Sequence, residues 1–211
     1  MQNIKNIIFD YGNVIFEINF EKAQQALFQL GIADIETFFS HKKHNPIFDE
    51  FESAAIRPTQ FRDEIRKAAS NPALTDEEID AAWNSLLIGV PESVHETVLK
   101  VKEKYRTFLL SNNNEIHYNY IVDYLKREFE MEDNSTLFEK TYYSQHMFLR
   151  KPNVEIFEQV IRENNLNPEE TLFIDDSPQH LIGAKKAGLN TLLMDVHPRE
   201  LESFLKKHQI L

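Results

Sequence analysis

The stretch Asn6-Ile7-Ile8-Phe9-Asp10-Tyr11-Gly12-Asn13-Val14 constrains this chain more than any other, because it joins an apolar run too short for a helix to a carboxylate and then a glycine turn. It reads as a central buried strand with Asp10 at its exposed carboxyl end. In an open parallel sheet that edge is where ligands bind, since the strand-to-helix loops there splay into a crevice. Three later stretches are placed to meet Asp10 at the same edge: Phe108-Leu109-Leu110-Ser111-Asn112-Asn113, Arg150-Lys151-Pro152 and Thr171-Leu172-Phe173-Ile174-Asp175-Asp176-Ser177.

From residue 92 onward, helical and strand patterns alternate. Helices are predicted over 92–105, 116–129, 154–164, 179–187 and from about 198, with strands over 107–110, 137–143, 171–174 and 191–194. That alternation argues for crossover units and a parallel sheet. Between 17 and 91 the spacing is helical instead. Ala23, Ala26, Leu27 and Leu30 share one face, Gly31 is a C-cap, and Pro46, Pro58 and Pro72 mark breaks between short helices over 20–30, 35–40, 47–51, 59–69 and 76–87. Thr75 with Glu78 three residues on has the form of a capping box. No strand is predicted in this segment. The chain therefore divides into an α/β core, residues 1–16 and 92–211, and a small helical insert, residues 17–91. Phe38, Phe39, Phe48, Phe51 and Phe61 read as the core of the insert, with Phe48 or Phe51 also able to face a substrate.

At 211 residues the chain suits one such domain with an insert. The absence of cysteine excludes disulfides, thiolate metal sites and cysteine nucleophiles, and fits a reducing compartment. The N-terminus lacks a signal-peptide layout, and no apolar stretch approaches the roughly 18 residues that span a bilayer. A soluble, cytoplasmic protein without membrane partners is expected, either a monomer or a weak homodimer. A net charge of −11 repels polyphosphate backbones, so nucleic acid is not an expected partner. A small phosphorylated substrate remains open, because a bound cation and one lysine reverse the potential locally. His41 and His44 read as solvent-facing, and the charges from Asp123 to Glu132 as an exposed helix face.

Each chemical candidate also has a plain alternative. Asp10 alone is equally a helix N-cap, Asp175-Asp176 alone a solvated turn, Ser111 a turn residue and Lys151 a surface lysine. Together they supply more. Two adjacent carboxylates at a buried edge repel unless a cation or proton is shared, and hard oxygen ligands without histidine or cysteine favour Mg²⁺. The hydroxyl of Ser111 and the amides of Asn112 and Asn113 are suited to phosphate oxygens. A nucleophile, a metal, an oxygen clamp and a compensating cation are what phosphoryl transfer to a carboxylate needs.

With these motifs in this order over nearly its whole length, the chain resembles the haloacid dehalogenase-like hydrolase superfamily. The resemblance implies a Rossmann-like parallel sheet with a small all-helical cap inserted after the first strand, the cap closing over the site and selecting the substrate. It implies that Asp10 forms an aspartyl-phosphate, that Ser111 and Lys151 bind the phosphate beside Asn112, and that Mg²⁺ is held by Asp10, the carbonyl of Gly12 and the pair Asp175 and Asp176, with Asp176 the direct ligand. Most phosphatases of the superfamily carry a second Asp two residues after the nucleophile as general acid and base. Gly12 occupies that place here, as in the Asp-x-Gly-Asn-Val subgroup that includes sugar-phosphate phosphatases of the α-D-glucose-1-phosphate type. Phe51-Glu52-Ser53-Ala54-Ala55-Ile56 is similar to that subgroup's aromatic-Glu-x-Gly-x-Ile segment, with Ala54 in place of glycine.

The expected activity is Mg²⁺-dependent hydrolysis of a small phosphorylated metabolite, sugar phosphates included, through the phosphorylated Asp10. Two alternatives are a 2-haloacid dehalogenase, which lacks the second Asp and needs no metal, and a weakened member that binds a phosphometabolite. The pair Asp175-Asp176 argues against the first of these.

Overall fold

Strand β1 (Asn6–Phe9) is buried along its whole length, as an apolar strand covered on both faces must be. The computed structural model describes residues 3–39 and 45–211, so His41 and His44 lie outside the described residues. After β1 come β2 (Glu17–Ile18), α1 (Phe20–Gln29), α2 (Ile35–Phe38), α3 (Pro46–Glu52), α4 (Pro58–Ala68), α5 (Asp76–Asn84) and β3 (Leu87–Gly89). The chain continues through α6 (Val94–Lys102), β4 (Arg106–Ser111), α7 (Glu115–Phe129), β5 (Lys140–Tyr143), α8 (Ser144–Met147) and α9 (Val154–Glu163). It ends with β6 (Thr171–Asp175), α10 (Pro178–Lys186), β7 (Asn190–Leu193) and α11 (Leu201–Lys207).

The sheet is parallel, five-stranded and ordered β5-β4-β1-β6-β7, which makes β1 its centre. Ile7 and Phe9 face one side, packing with Leu109, Leu172 and Ile174 against Val98 of α6, Leu125 of α7 and Phe204 of α11. Ile8 faces the other, with Phe108 and Phe173 against Phe157 and Val160 of α9 and Ala184 of α10. Strand residues alternate between faces with a period of two, so both layers of helices are anchored by the same short strands. The expected α/β fold with a Rossmann-like sheet is therefore present. Phe9 lies in register with Leu109 on one side and Ile174 on the other. Asp10, Ser111 and Asp175 thus emerge at one carboxyl edge from three adjacent strands.

Helices α1 to α5 bury an apolar cluster of their own around Phe48, Phe51, Phe61, Ile65, Ile79 and Trp83. The expected capping box is formed: Thr75 Oγ1 accepts from Glu78 N at 3.2 Å, and a Glu78 carboxylate oxygen accepts from Thr75 N at 2.8 Å. One expectation fails. The segment 17–91 is not wholly helical, because β2 and β3 pair antiparallel where the chain leaves and re-enters the sheet domain. Strands of two and three residues carry too few positions for a period of two to register. Ala54 sits at φ +54, the left-handed region that favours glycine, which costs about 1 kcal/mol. Among the described residues no helix is long and apolar enough to cross a membrane.

Helix α10 closes on the loop that carries Lys151 because residue 183 is glycine. A Cβ there would lie 2.1 Å from the carbonyl oxygen of Pro152, so any side chain forces that backbone to move.

Candidate active site

Lys151 is the centre of the site. Its side chain is fully buried, with Nζ 2.7 Å from Asp10 Oδ1 and 2.8 Å from Asp175 Oδ2. Asn112 fixes the lysine's backbone from both sides: its Oδ1 accepts from Lys151 N at 2.9 Å, and its Nδ2 donates to Lys151 O at 3.0 Å. Asp10 Oδ1 also accepts from Tyr11 N at 2.6 Å, leaving Oδ2 for other partners. Asp175 accepts from Ser177 N at 2.7 Å, and His180 Nδ1 lies 3.0 Å from both its oxygens. Asp176 is turned the other way, its Oδ2 accepting from Asn13 Nδ2 at 3.1 Å.

Three carboxylates here face one ammonium. Burial and the charges of Asp175 and Asp176 push the Asp10 carboxyl well above its usual range, outweighing Lys151. Burial and Asp175 likewise raise Asp176. For Asp175, burial acts upward but Lys151 and His180 outweigh it and hold the carboxyl below its usual range. Burial alone would depress Lys151, but Asp10 and Asp175 outweigh it and hold the ammonium above its ordinary value. The cluster is short of positive charge, and the deficit lies on the side of Asp10 and Asp176.

A cavity of about 320 Å³ opens above this edge. Asp10, Gly12, Ser111, Asn112, Asn113 and Asp176 form its floor, whereas Asp175 and Lys151 lie behind it. Its roof comes from the helical unit through Phe48, Asp49, Glu52 and Trp83. Phe48 therefore meets the cavity and Phe51 does not, although both belong to the aromatic cluster of the helical unit. Glu52 joins roof to floor: its Oε2 accepts from Arg150 Nε at 3.0 Å and Nη2 at 2.8 Å, and its backbone carbonyl accepts from Ser144 Oγ at 2.6 Å. Arg150 Nη2 also lies 3.0 Å from Asp49 Oδ1.

A second tie crosses the back wall. The rings of Trp83 and His117 stack with centroids 4.5 Å apart and planes at 15°. His117 Nε2 lies 3.1 Å from the Trp83 carbonyl and Nδ1 lies 3.2 Å from Asn114 Nδ2. Asn114 Oδ1 accepts from His117 N, which fixes the amide, so Nε2 carries the proton and the ring is neutral. Sequence reasoning placed Glu52 and Arg150 only within longer motifs, with no role of their own, and missed His117 and His180. Of the two missed, only His180 carried a local signal, lying in the first turn of the helix that follows Asp175.

Two histidines should weaken the fold in acid, while the raised carboxyls of Asp10 and Asp176 act the other way. Burial lowers the His117 pKa to about 4 from its ordinary 6.5, outweighing the Trp83 carbonyl, and burial lowers His95 to about 4 as well. The unfolded chain takes up these protons first, so their contribution is complete above about pH 6.5 and is lost as the pH falls toward 4. His117 alone should cost about 2 kcal/mol between pH 7 and pH 5. Urea midpoints at the two pH values check this, and His117→Phe, which keeps a ring against Trp83, should shrink the difference. An unchanged difference would acquit His117.

Residues 4–188 match the haloacid dehalogenase-like hydrolase family. The chain is 32% identical over 190 residues to a D-ribitol-5-phosphate phosphatase of Bacteroides thetaiotaomicron, covering 89% of this chain and 90% of that protein. An HAD family enzyme of the same organism, solved with magnesium and inorganic phosphate, superposes with a TM-score of 0.79 at 36% identity, covering 90% of this chain and 93% of that one. An HAD-like hydrolase of Porphyromonas gingivalis gives a TM-score of 0.85 at 28% identity over 98% of both chains. With the family matched across most of the sequence, and the parallel sheet presenting Asp10, Ser111, Lys151 and Asp176 along one edge, this chain belongs to the haloacid dehalogenase-like hydrolases.

Proposed function

We propose that the chain is a Mg²⁺-dependent phosphatase of a small sugar or polyol phosphate, acting in the cytoplasm through a phosphoryl group carried on Asp10. The observation that carries this reading is the buried Lys151, which holds Asp10 Oδ1 and Asp175 and leaves Asp10 Oδ2 and Asp176 for the cavity side. The resemblance to a D-ribitol-5-phosphate phosphatase supports the substrate class.

The donor set fits Mg²⁺. Asp10 Oδ2, Asp176 and the Gly12 carbonyl, which accepts no hydrogen bond from the described residues, are hard oxygens at the negative side of the cluster. Bound there, Mg²⁺ would supply positive charge against the phosphate oxygens. Asp175 serves Lys151 in this arrangement. The same unspent carboxylate at Asp176 favours phosphatase over dehalogenase chemistry. Asp10 attacks phosphorus, the bond to the ester oxygen breaks, and the alcohol leaves with a proton from solvent. Water then attacks the phosphorus of the acyl phosphate, phosphate departs and Asp10 is restored. Ser111 Oγ and Lys151 Nζ hold phosphate oxygens in both steps. The core is residues 1–16 and 92–211, and the unit over 17–91 is a cap that selects the alcohol.

Gly12 sets the expected selectivity. Positioned proton transfer contributes about 10²–10⁴-fold, most for poor leaving groups. With no carboxylate at position 12, aryl and anomeric phosphates should outpace simple primary-alkyl esters that lack the hydroxyls by which the cap would hold a polyol chain. A Cβ at Gly12 would approach only the flexible end of Ile18, at 3.2 Å, so Gly12→Asp is tolerable and should raise the alkyl rates selectively. The test is kcat/KM for phosphate esters of graded leaving-group pKa, with Mg²⁺ and with chelator. Release that ignores the chelator sinks the metal-dependent reading, and a flat leaving-group series means another group supplies the proton.

A further inference from the structure

Asn13 lies one residue beyond the Gly12 carbonyl and has no role in the chemistry above. Its backbone is left-handed, φ +54, and its N–H donates to the Phe16 carbonyl at 2.8 Å. Both ends of its side-chain amide are engaged, in two different parts of the molecule. Nδ2 donates to Asp176 Oδ2 at 3.1 Å, and Oδ1 accepts from the backbone N–H of Ile18 at 3.3 Å. Ile18 is half of β2, and β2 pairs with β3 to form the two-stranded ribbon through which the chain enters and leaves the helical unit. Ile18 also lines the cavity and packs against the apolar clusters of both the sheet domain and the helical unit.

We infer that Asn13 is a positioning residue that couples metal occupancy at Asp176 to the position of the ribbon carrying the cap. The inference rests on the metal site proposed above. Asp176 has two states, with and without a cation on its cavity side, and Asn13 is the shortest bonded link from that carboxylate to the ribbon. Fixing Asp176 fixes the amide, and the amide's other end then holds the Ile18 N–H. No shorter side chain reaches both partners. An aspartate would present a second carboxylate to Asp176 in place of a donor. Coupling between two sites is reciprocal, so whatever factor metal adds to the hold on the ribbon, the held ribbon adds to metal affinity.

Two quantities are measured with Mg²⁺ as the probe: its dissociation constant by calorimetry and the exchange rate of the Ile18 amide by NMR. Both are read on the wild type and on Asn13→Gly, in which glycine occupies the left-handed backbone without strain. In the wild type, saturating Mg²⁺ should slow exchange at Ile18 by about tenfold, the scale of the one charge-assisted hydrogen bond, Asn13 Nδ2 to Asp176, that carries the coupling. In Asn13→Gly the dissociation constant should rise by about the same factor and Ile18 should cease to respond. Asn13→Ser, whose hydroxyl is too short to span both partners, should behave alike and serves if the glycine variant folds poorly. An Ile18 response of equal size in the variants, or unchanged affinity, overturns the coupling. Heat of Mg²⁺ binding in the wild type without any response at Ile18 overturns the coupling alone, whereas no heat at all overturns the metal site and the coupling with it.

Discussion

Replacing Asp10 with Asn is expected to abolish phosphate release while leaving the protein at least as stable as the wild type. The two effects have one cause. Burial and the neighbouring Asp175 and Asp176 hold the Asp10 carboxyl well above its usual range, so folding disfavours its ionised form relative to the unfolded chain and the charge costs stability. The amide keeps the shape, still accepts from Tyr11 N and Lys151, and removes one negative charge from three. It is, however, a poor nucleophile. Losing the covalent residue should cost several powers of ten in kcat, so residual release above about a hundredth of wild type would contradict the assignment. Thermal melting of the same variant supplies the second reading. A substantially lower melting temperature would mean that Asp10 is a structural anchor, and the sign of the shift separates the two roles.

Lys151→Met should act in the opposite direction on stability and in the same direction on activity. The ammonium is fully buried and is the shared partner of Asp10 and Asp175, so its removal strands two carboxylates 0% and 9% exposed against each other. Breaking a buried pair from one side costs about 3–5 kcal/mol. For a chain of this size that is a fall in melting temperature on the order of 10 °C. Because the folded-state pKa of Lys151 is raised by its two partners, the stability it contributes is complete below its ordinary pKa and is lost only as the pH rises through the folded value. The loss in the variant should therefore be full at neutral pH. Activity should fall by about 10²–10³-fold, since the phosphate loses a positive clamp and Asp10 is driven toward its protonated form. Adding Asp10→Asn to Lys151→Met should restore part of the melting temperature, because the residues touch and their effects do not add. Strict additivity would place the lysine's contribution elsewhere.

Most of the sheet was legible because its strands are short apolar runs with functional residues at their ends. Ile7 to Phe9, Phe108 to Leu110 and Leu172 to Ile174 are buried on both faces, which leaves continuous hydrophobicity and a sharp polar stop at Asp10, Ser111 and Asp175. The helical unit was legible through its capping box and proline breaks. The ribbon of β2 and β3 was not, since strands of two and three residues at opposite ends of the helical segment hold no period. The contacts across the cavity were hidden for a related reason. Glu52 and Arg150 are 98 residues apart, and neither lies in a pattern that names its partner. The direction in which Asp175 and Asp176 point was likewise beyond the sequence. Adjacent residues at a strand end face opposite ways, and only the position of Lys151 decides which of the two it claims.

The most direct measurement is acid quench during the first turnovers with an aryl phosphate and Mg²⁺, followed by mass spectrometry of the peptide that contains Asp10. One added phosphoryl group on that peptide, formed before steady state and absent from Asp10→Asn, is the predicted result. Phosphate release at an undiminished rate with no phosphorylated Asp10 peptide at any quench time would contradict it.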